Sequence, residues 1–256
     1  AWLWCPSDGG IAGLSFAAPA GHTNSDGTQC PLRYTDYAAC LGAVCFFPQP
    51  GDPYQAMLSA SKGMFYMVGA PSWLPGSPGS VAPSKMGDVT DGTSNTILFG
   101  EHAHNLNGPQ GINGDIHGWG WWVSGDYGDT TFNTFFPPNF FTGPAADYNP
   151  LTRDGKPRYC GKAISGGESD DMLVTSGSNH PGGANFAFVD GSVHFIKSTV
   201  GSWPSYAVAN VLGGGCGPTY DGNCSTCAPS GNFLPTASTA PYQPGVFQAL
   251  GTKNGG

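Results

Sequence analysis

The chain has 256 residues, among them 41 Gly and 23 Pro; 10% are charged, 39% hydrophobic and 12% aromatic. Glycine and proline at this frequency exclude long uninterrupted helices, and low charge with many aromatics argues against disorder. The net charge of −8, with 9 Lys plus Arg, argues against nucleic acid or an anionic membrane as partner, since both need clustered cations.

Taken in chain order, Trp2-Leu3-Trp4 predicts a short strand ended by the turn residues Pro6, Ser7, Asp8, Gly9 and Gly10. Residues 34–47 fit either a strand pair or a short helix. Residues 48–53 and 71–84 read as loops, and residues 63–68 between them predict a buried strand. Asp91-Gly92 marks a turn, Thr93 or Ser94 can cap one helical turn, and residues 96–100 fit a strand. Residues 117–123, HGWGWWV, predict an aromatic strand whose glycines let rings lie over bare backbone. Residues 124–170 are mostly loop, with an apolar knot at 135–141.

Residues 184–189 and 192–197 predict a hairpin. Asp190-Gly191 is its expected two-residue turn, of the kind that needs positive φ. Phe186 and Phe188 share one face, and Val193 and Phe195 alternate with His194 and Ile196. Residues 245–250 suit a short terminal helix or strand. The expected fold is α+β and β-rich: an antiparallel sheet with long loops and little helix. The expected division is a head at 1–212, a Cys/Gly/Pro-rich insertion or arm at 213–246, and the end of the head at 247–256.

Eight cysteines, few charges and Asn/Gly/Ser/Thr-rich loops point to an extracellular setting, where disulfides persist. Residues 1–5 carry no signal-peptide pattern, as expected of a mature or trimmed chain, and no stretch approaches the length of a membrane span. Eight cysteines allow on the order of a hundred connectivities. Local spacing nominates Cys40 with Cys45 and Cys224 with Cys227. A rival reading makes Cys216, Cys224 and Cys227 a zinc site, without a clear fourth ligand. Asn223 heads an Asn-x-Ser glycosylation acceptor.

Oxygen-rich loops are candidates for Ca2+. Asn105, Asn107, Asn113 and Asp115 lie in one, Asp126 and Asp129 in another. The alternative is that these residues only form turns. His102 and His104 would share one face of a strand and could ligate a metal. His180 is open to two readings, a general base or metal ligand, or an imidazole bonded to the backbone of its own turn. The second is favoured, because no nucleophile stands beside it in sequence. No nucleophile elbow, zinc-protease helix, P-loop or dinucleotide fingerprint occurs.

Three ordered segments carry a family resemblance. They are Cys5-Pro6-Ser7-Asp8, residues 88–101 (DVTDGTSNTILFGE) and residues 180–193 (HPGGANFAFVDGSV), and the chain closes with ALGTKNGG. Together they resemble the planctomycete-type family of pilin-like proteins, with a prepilin leader and a His-x9-Asp-Gly signature. Residues 34–38 resemble the tyrosine-containing segment that follows the CPSD motif. The resemblance implies a secreted or surface-attached protein with a pseudopilin-like head, here without the family's N-terminal helix. It places the structural motif on Asp91, Gly92, Asn95, His180, Gly182, Gly183, Asp190 and Gly191, and it implies no catalytic residue.

The expected function is therefore a non-catalytic subunit that self-associates into an extracellular filament or surface layer. The arm at 228–248, anchored by Phe233, Leu234, Tyr242 and Phe247, would pass between copies or wrap its own domain. The alternative is a glycan-binding module using Trp119, Trp121, Trp122 and Trp203.

Overall fold

In the computed structural model the described residues are 3–8, 15–17, 28, 31–33, 35–43, 62–66, 83–103, 130–140, 175–203 and 244–254. Strands β1 (Ser15–Ala17) and β2 (Pro31–Arg33) form a small antiparallel ladder. The main sheet holds β3 (Tyr37–Cys40), β4 (Ile97–Glu101), β5 (Thr131–Phe132), β6 (Gly183–Phe188) and β7 (Val193–Lys197). Its order is β5-β3-β4-β6-β7, antiparallel except for the parallel pair β3–β5. Among the described residues one α-helix, α1 (Val246–Leu250), accompanies the sheet in this sheet-rich α+β fold.

The β6–β7 hairpin forms where the alternation of side chains predicts it. Its turn differs from the expected one. Gly191 donates its N–H to Phe188 O at 2.9 Å, and Phe188 donates to Ser192 O at 2.8 Å. The loop is therefore Val189, Asp190 and Gly191, and Gly191 alone has positive φ, +87°. A type I turn ending in a left-handed glycine suits the strand twist as well as the two-residue turn does. Asp190 Oδ1 accepts from Ser192 N and Oγ at 2.9 and 2.6 Å, which holds its carboxyl below the usual range.

One face of the sheet is the core. Ala38, Cys40, Ile97, Phe132, Ala184, Phe186, Phe188 and Ile196 bury there with Phe247 of α1. The Phe186 ring centroid lies 5.9 Å from that of Phe132 and 5.6 Å from that of Phe247. Each fully buried ring contributes roughly 1.5–3 kcal/mol. Gly100 makes this possible, because the rings of Phe186 and Phe132 occupy the space a Cβ would need, at 2.7 and 2.8 Å. A helix as short as α1 is not stable alone. Buried Phe247 and Gln248 hold it, and Gln248 Oε1 accepts the N–H of Gly245 at its start.

Several expectations are corrected. Leu3 and Trp4 lie in a bend, not a strand; the segment is tied sideways by the Asp36 N–H to Leu3 O. Residues 63–66 are not a buried strand. Lys62 adopts a left-handed φ of 54° and bridges Gly42, which breaks the extended run. The helical turn at Thr93–Asn95 starts from Gly92 at φ 95°, and no side chain caps it. Cys40 is a free thiol in the core, with its Sγ toward Gly251 O, at odds with pairing to Cys45. Trp203 is buried against Phe135 and is no exposed glycan platform. Of the alternatives left open, residues 37–40 are strand and residues 246–250 are helix. The aromatic strand at 117–123, Cys45 and the insertion from 213 to 243 lie outside the described residues.

Candidate functional site

The opposite face of the sheet is only partly covered, and one end of it carries a cluster of chemical groups. Glu101 ends β4 on this face, beside Asn185 of β6 and in register with Tyr37 of β3. Cys5 reaches it from the CPSD turn. That turn is closed by Asp8 N–H to Cys5 O at 2.9 Å and held down by Cys5 N–H to Asp36 Oδ2 at 2.6 Å. His180 comes from the bend before β6, where its N–H bonds Ser178 Oγ at 3.1 Å. Asn139 fixes that bend from outside, accepting from Ser178 N and donating to Gly183 O.

The three side chains converge. Cys5 Sγ lies 3.5 Å from His180 Nε2 and 3.4 Å from Glu101 Oε1. His180 Nε2 lies 3.3 Å from the same Oε1. Glu101 is buried, with a side chain 4% exposed, whereas that of His180 is 38% exposed. Asn185 orients the carboxylate through its N–H to Oε2 at 2.7 Å and its Nδ2 to Oε1 at 3.1 Å. Ser7 Oγ sits 2.9 Å from Cys5 Sγ.

Negative charge is costly here. Burial pushes the Cys5 thiol up, opposed by its hydrogen bonds to Ser7 and reinforced by Glu101. Tyr37 is likewise pushed up, first by burial and then by the charges of Cys5, Glu101 and Asp36. The cluster is not arranged as a nucleophile relay. A Cys–His–Glu relay uses both ring nitrogens, one for the thiol and one for the carboxylate. Here Nε2 alone faces both groups. The arrangement instead points three donor atoms at one another.

His180 is therefore not bonded to the backbone of its own turn by its ring, as its sequence context suggested. Between it and Asp190-Gly191 run the turn residues Pro181 and Gly182, strand β6 and Val189, so the signature brackets a strand and lies just outside its two ends. At the far end the hairpin turn meets the Asp91–Asn95 turn, through Asp190 N–H to Thr93 O and Val189 N–H to Thr96 O. Asn95 Nδ2 bonds Asp91 O and Asn95 N bonds Gly92 O, and Gly182 holds φ +80°. Asp91, Gly92, Asn95, Gly182, Gly183, Asp190 and Gly191 thus lie in these turns and in β6, whereas the His180 ring joins the cluster with Cys5 and Glu101. His102 is buried beside Gly177, on the other face of its strand from Glu101. Asn105, Asn107, Asn113, Asp115, Asp126, Asp129, His104, Cys216, Asn223, Cys224, Cys227 and Trp119, Trp121 and Trp122 lie outside the described residues.

Sequence reasoning missed Cys5 and Glu101 as partners of His180. A signal was available: each of the three motif segments supplies one member of the cluster, the first residue of CPSD, the last of residues 88–101 and the first of residues 180–193.

The three motif segments of this β-rich head meet at one end of the sheet's partly covered face. The chain belongs to the family described as a protein of unknown function, DUF1559, whose profile matches residues 1–202. It is a family of planctomycete-type surface proteins. The whole cluster lies inside the matched stretch, and α1 lies beyond it. No curated protein and no solved structure matches the chain.

Proposed function

We propose that the protein is a non-catalytic structural subunit of an extracellular, pilus-like assembly, and that it associates with copies of itself along β7. The observation that carries this reading is the state of that strand. β7 is the last strand of the sheet order, and its burial pattern is exposed at every position but Ile196. Val193 is 65% and Phe195 47% exposed. With Phe99 they make an apolar strip on the same sheet face. An apolar edge strand is a template for adding another strand. The family's surface setting and the eight cysteines support an extracellular location.

The exchange-arm version is weakened at one anchor. Phe247 is buried in its own chain's core, so at that position the arm wraps its own domain. The glycan-binding alternative loses Trp203 in the same way.

Sedimentation velocity and electron microscopy of the full chain test the reading. Concentration-dependent assembly is expected, and the double variant Val193→Lys/Phe195→Lys should abolish it while leaving the circular dichroism spectrum unchanged. A monodisperse monomer at high concentration would end the proposal, as would assembly unaffected by both lysines.

A further inference from the structure

We propose that Cys5, Glu101 and His180 form a binding site for a divalent cation of zinc's chemical character, with a water molecule as fourth ligand. This inference is independent of self-assembly.

The geometry carries it. Zinc binds thiolate sulfur at about 2.3 Å and imidazole nitrogen or carboxylate oxygen at about 2.0–2.1 Å, so a tetrahedral ion sets these donors about 3.6 Å (S to N), 3.5 Å (S to O) and 3.3 Å (N to O) apart. The observed separations are 3.5, 3.4 and 3.3 Å. The donors are already spaced as three corners of a zinc tetrahedron.

Donor chemistry selects the ion. A thiolate and an imidazole suit zinc and disfavour calcium and magnesium, which take oxygen ligands. A thiolate and a carboxylate together offset the charge of a divalent ion, which relieves the cost of burying them. The thiol gives up its proton to solvent when the metal binds, and His180 binds as neutral imidazole. The surroundings are those of a built site. Asn185 grips both oxygens of Glu101, and Ser7 steadies the sulfur. Outer contacts of this kind orient metal ligands. His180 is the exposed member and leaves a side from which an ion and water can enter.

The ion would act as a clamp. Cys5 is 96 residues from Glu101 and 175 from His180, so one metal fixes the CPSD turn to β4 and to the lead of β6. In its absence Cys5 is tied to the other two only by weak hydrogen bonds to sulfur, and His180 faces Glu101 across 3.3 Å.

The full chain, stripped with a chelator and dialysed, is titrated with ZnCl2, CaCl2 and CoCl2. Metal analysis should find one zinc per chain, and zinc but not calcium should raise the thermal midpoint. Cobalt should give a thiolate-to-metal charge-transfer band that Cys5→Ser removes. His180→Gln changes a partly exposed side chain and is expected to stay folded; it should weaken zinc binding at least about tenfold. If Cys5→Ser fails to fold, His180→Gln decides alone, with folding checked by circular dichroism. Unchanged zinc affinity in folded His180→Gln, a cobalt band that survives Cys5→Ser, or no zinc bound by the native chain would overturn the proposal.

Discussion

Gln248 and Trp203 share one acceptor: the indole Nε1 of Trp203 donates to Phe135 O at 2.8 Å, and Gln248 Nε2 donates to the same oxygen at 3.0 Å. Gln248 Nε2 also meets Thr134 O at 2.7 Å and Ser202 Oγ at 2.8 Å, while its Oε1 accepts from Trp203 N and Gly245 N. One buried amide thus joins three chain segments with no water-facing side.

Replacing that amide with an apolar group of similar size leaves buried backbone groups without partners. Each such group costs about 1–3 kcal/mol. Gln248→Leu should therefore lower stability by about 3 kcal/mol or more. Urea denaturation should show a lower midpoint with an unchanged slope. A loss below about 1 kcal/mol would mean that the network is dispensable.

Two glycines of the hairpin separate two kinds of constraint. A Cβ at Gly183 would strike Ile196 O and approach the Phe195 ring at 2.8 Å, so Gly183→Ala must push β7 away. At Gly191 a Cβ meets nothing within 4 Å, but φ is +87°. Gly191→Ala should cost about 1–2 kcal/mol from backbone strain alone, and Gly191→Asn less. Gly183→Ala should cost more than either, and only it should loosen β7 in amide hydrogen exchange. Equal protection of β7 in the two alanine variants would refute the distinction.

Cys40 gives a pH dependence with a defined sign. Burial pushes its thiol from an ordinary 9.0 up to about 12. Between those values the unfolded chain has lost the proton and the folded chain has kept it. Stability is therefore complete below pH 9.0 and falls as pH rises toward 12, by at most about 1.4 kcal/mol per pH unit. Comparing Cys40→Ala with the native chain cancels other titrations: the variant should lack this component of the slope. The native Cys40 thiol should also resist alkylation until the protein unfolds, which mass spectrometry reads directly.

The β6–β7 hairpin was legible because its alternation is local and its turn residues are specific. The strand in residues 96–100 was legible for the same reason. Strand β5 was not, since Thr131 and Phe132 carry no period, and only their parallel pairing with Ala39 and Cys40 makes them a strand. The strand expected at 63–68, absent over the described residues 63–66, shows the converse. Its apolar run is real, but Lys62 turns the chain, and Phe65 ends as a ring 5.1 Å from Phe99. His180 could be singled out by its motif, but its partners could not. Cys5 lies 175 residues away, and no periodicity reports contacts between segments that distant.

The sheet order also dictates when the protein can become a protein. Within the main sheet, of the described strands only β6 and β7 are joined by a tight turn; β4 must find β3 and β6 across long stretches of chain. Phe247 and Gln248 then seal a core begun at Ala38. Such distant pairings fold slowly. A chain delivered N-terminus first stays open until residue 250 has emerged, so for most of its passage it is threadable and exposed to capture by its own kind. Refolding followed by Phe/Trp fluorescence should show the hairpin protected early and the Trp203 environment restored last.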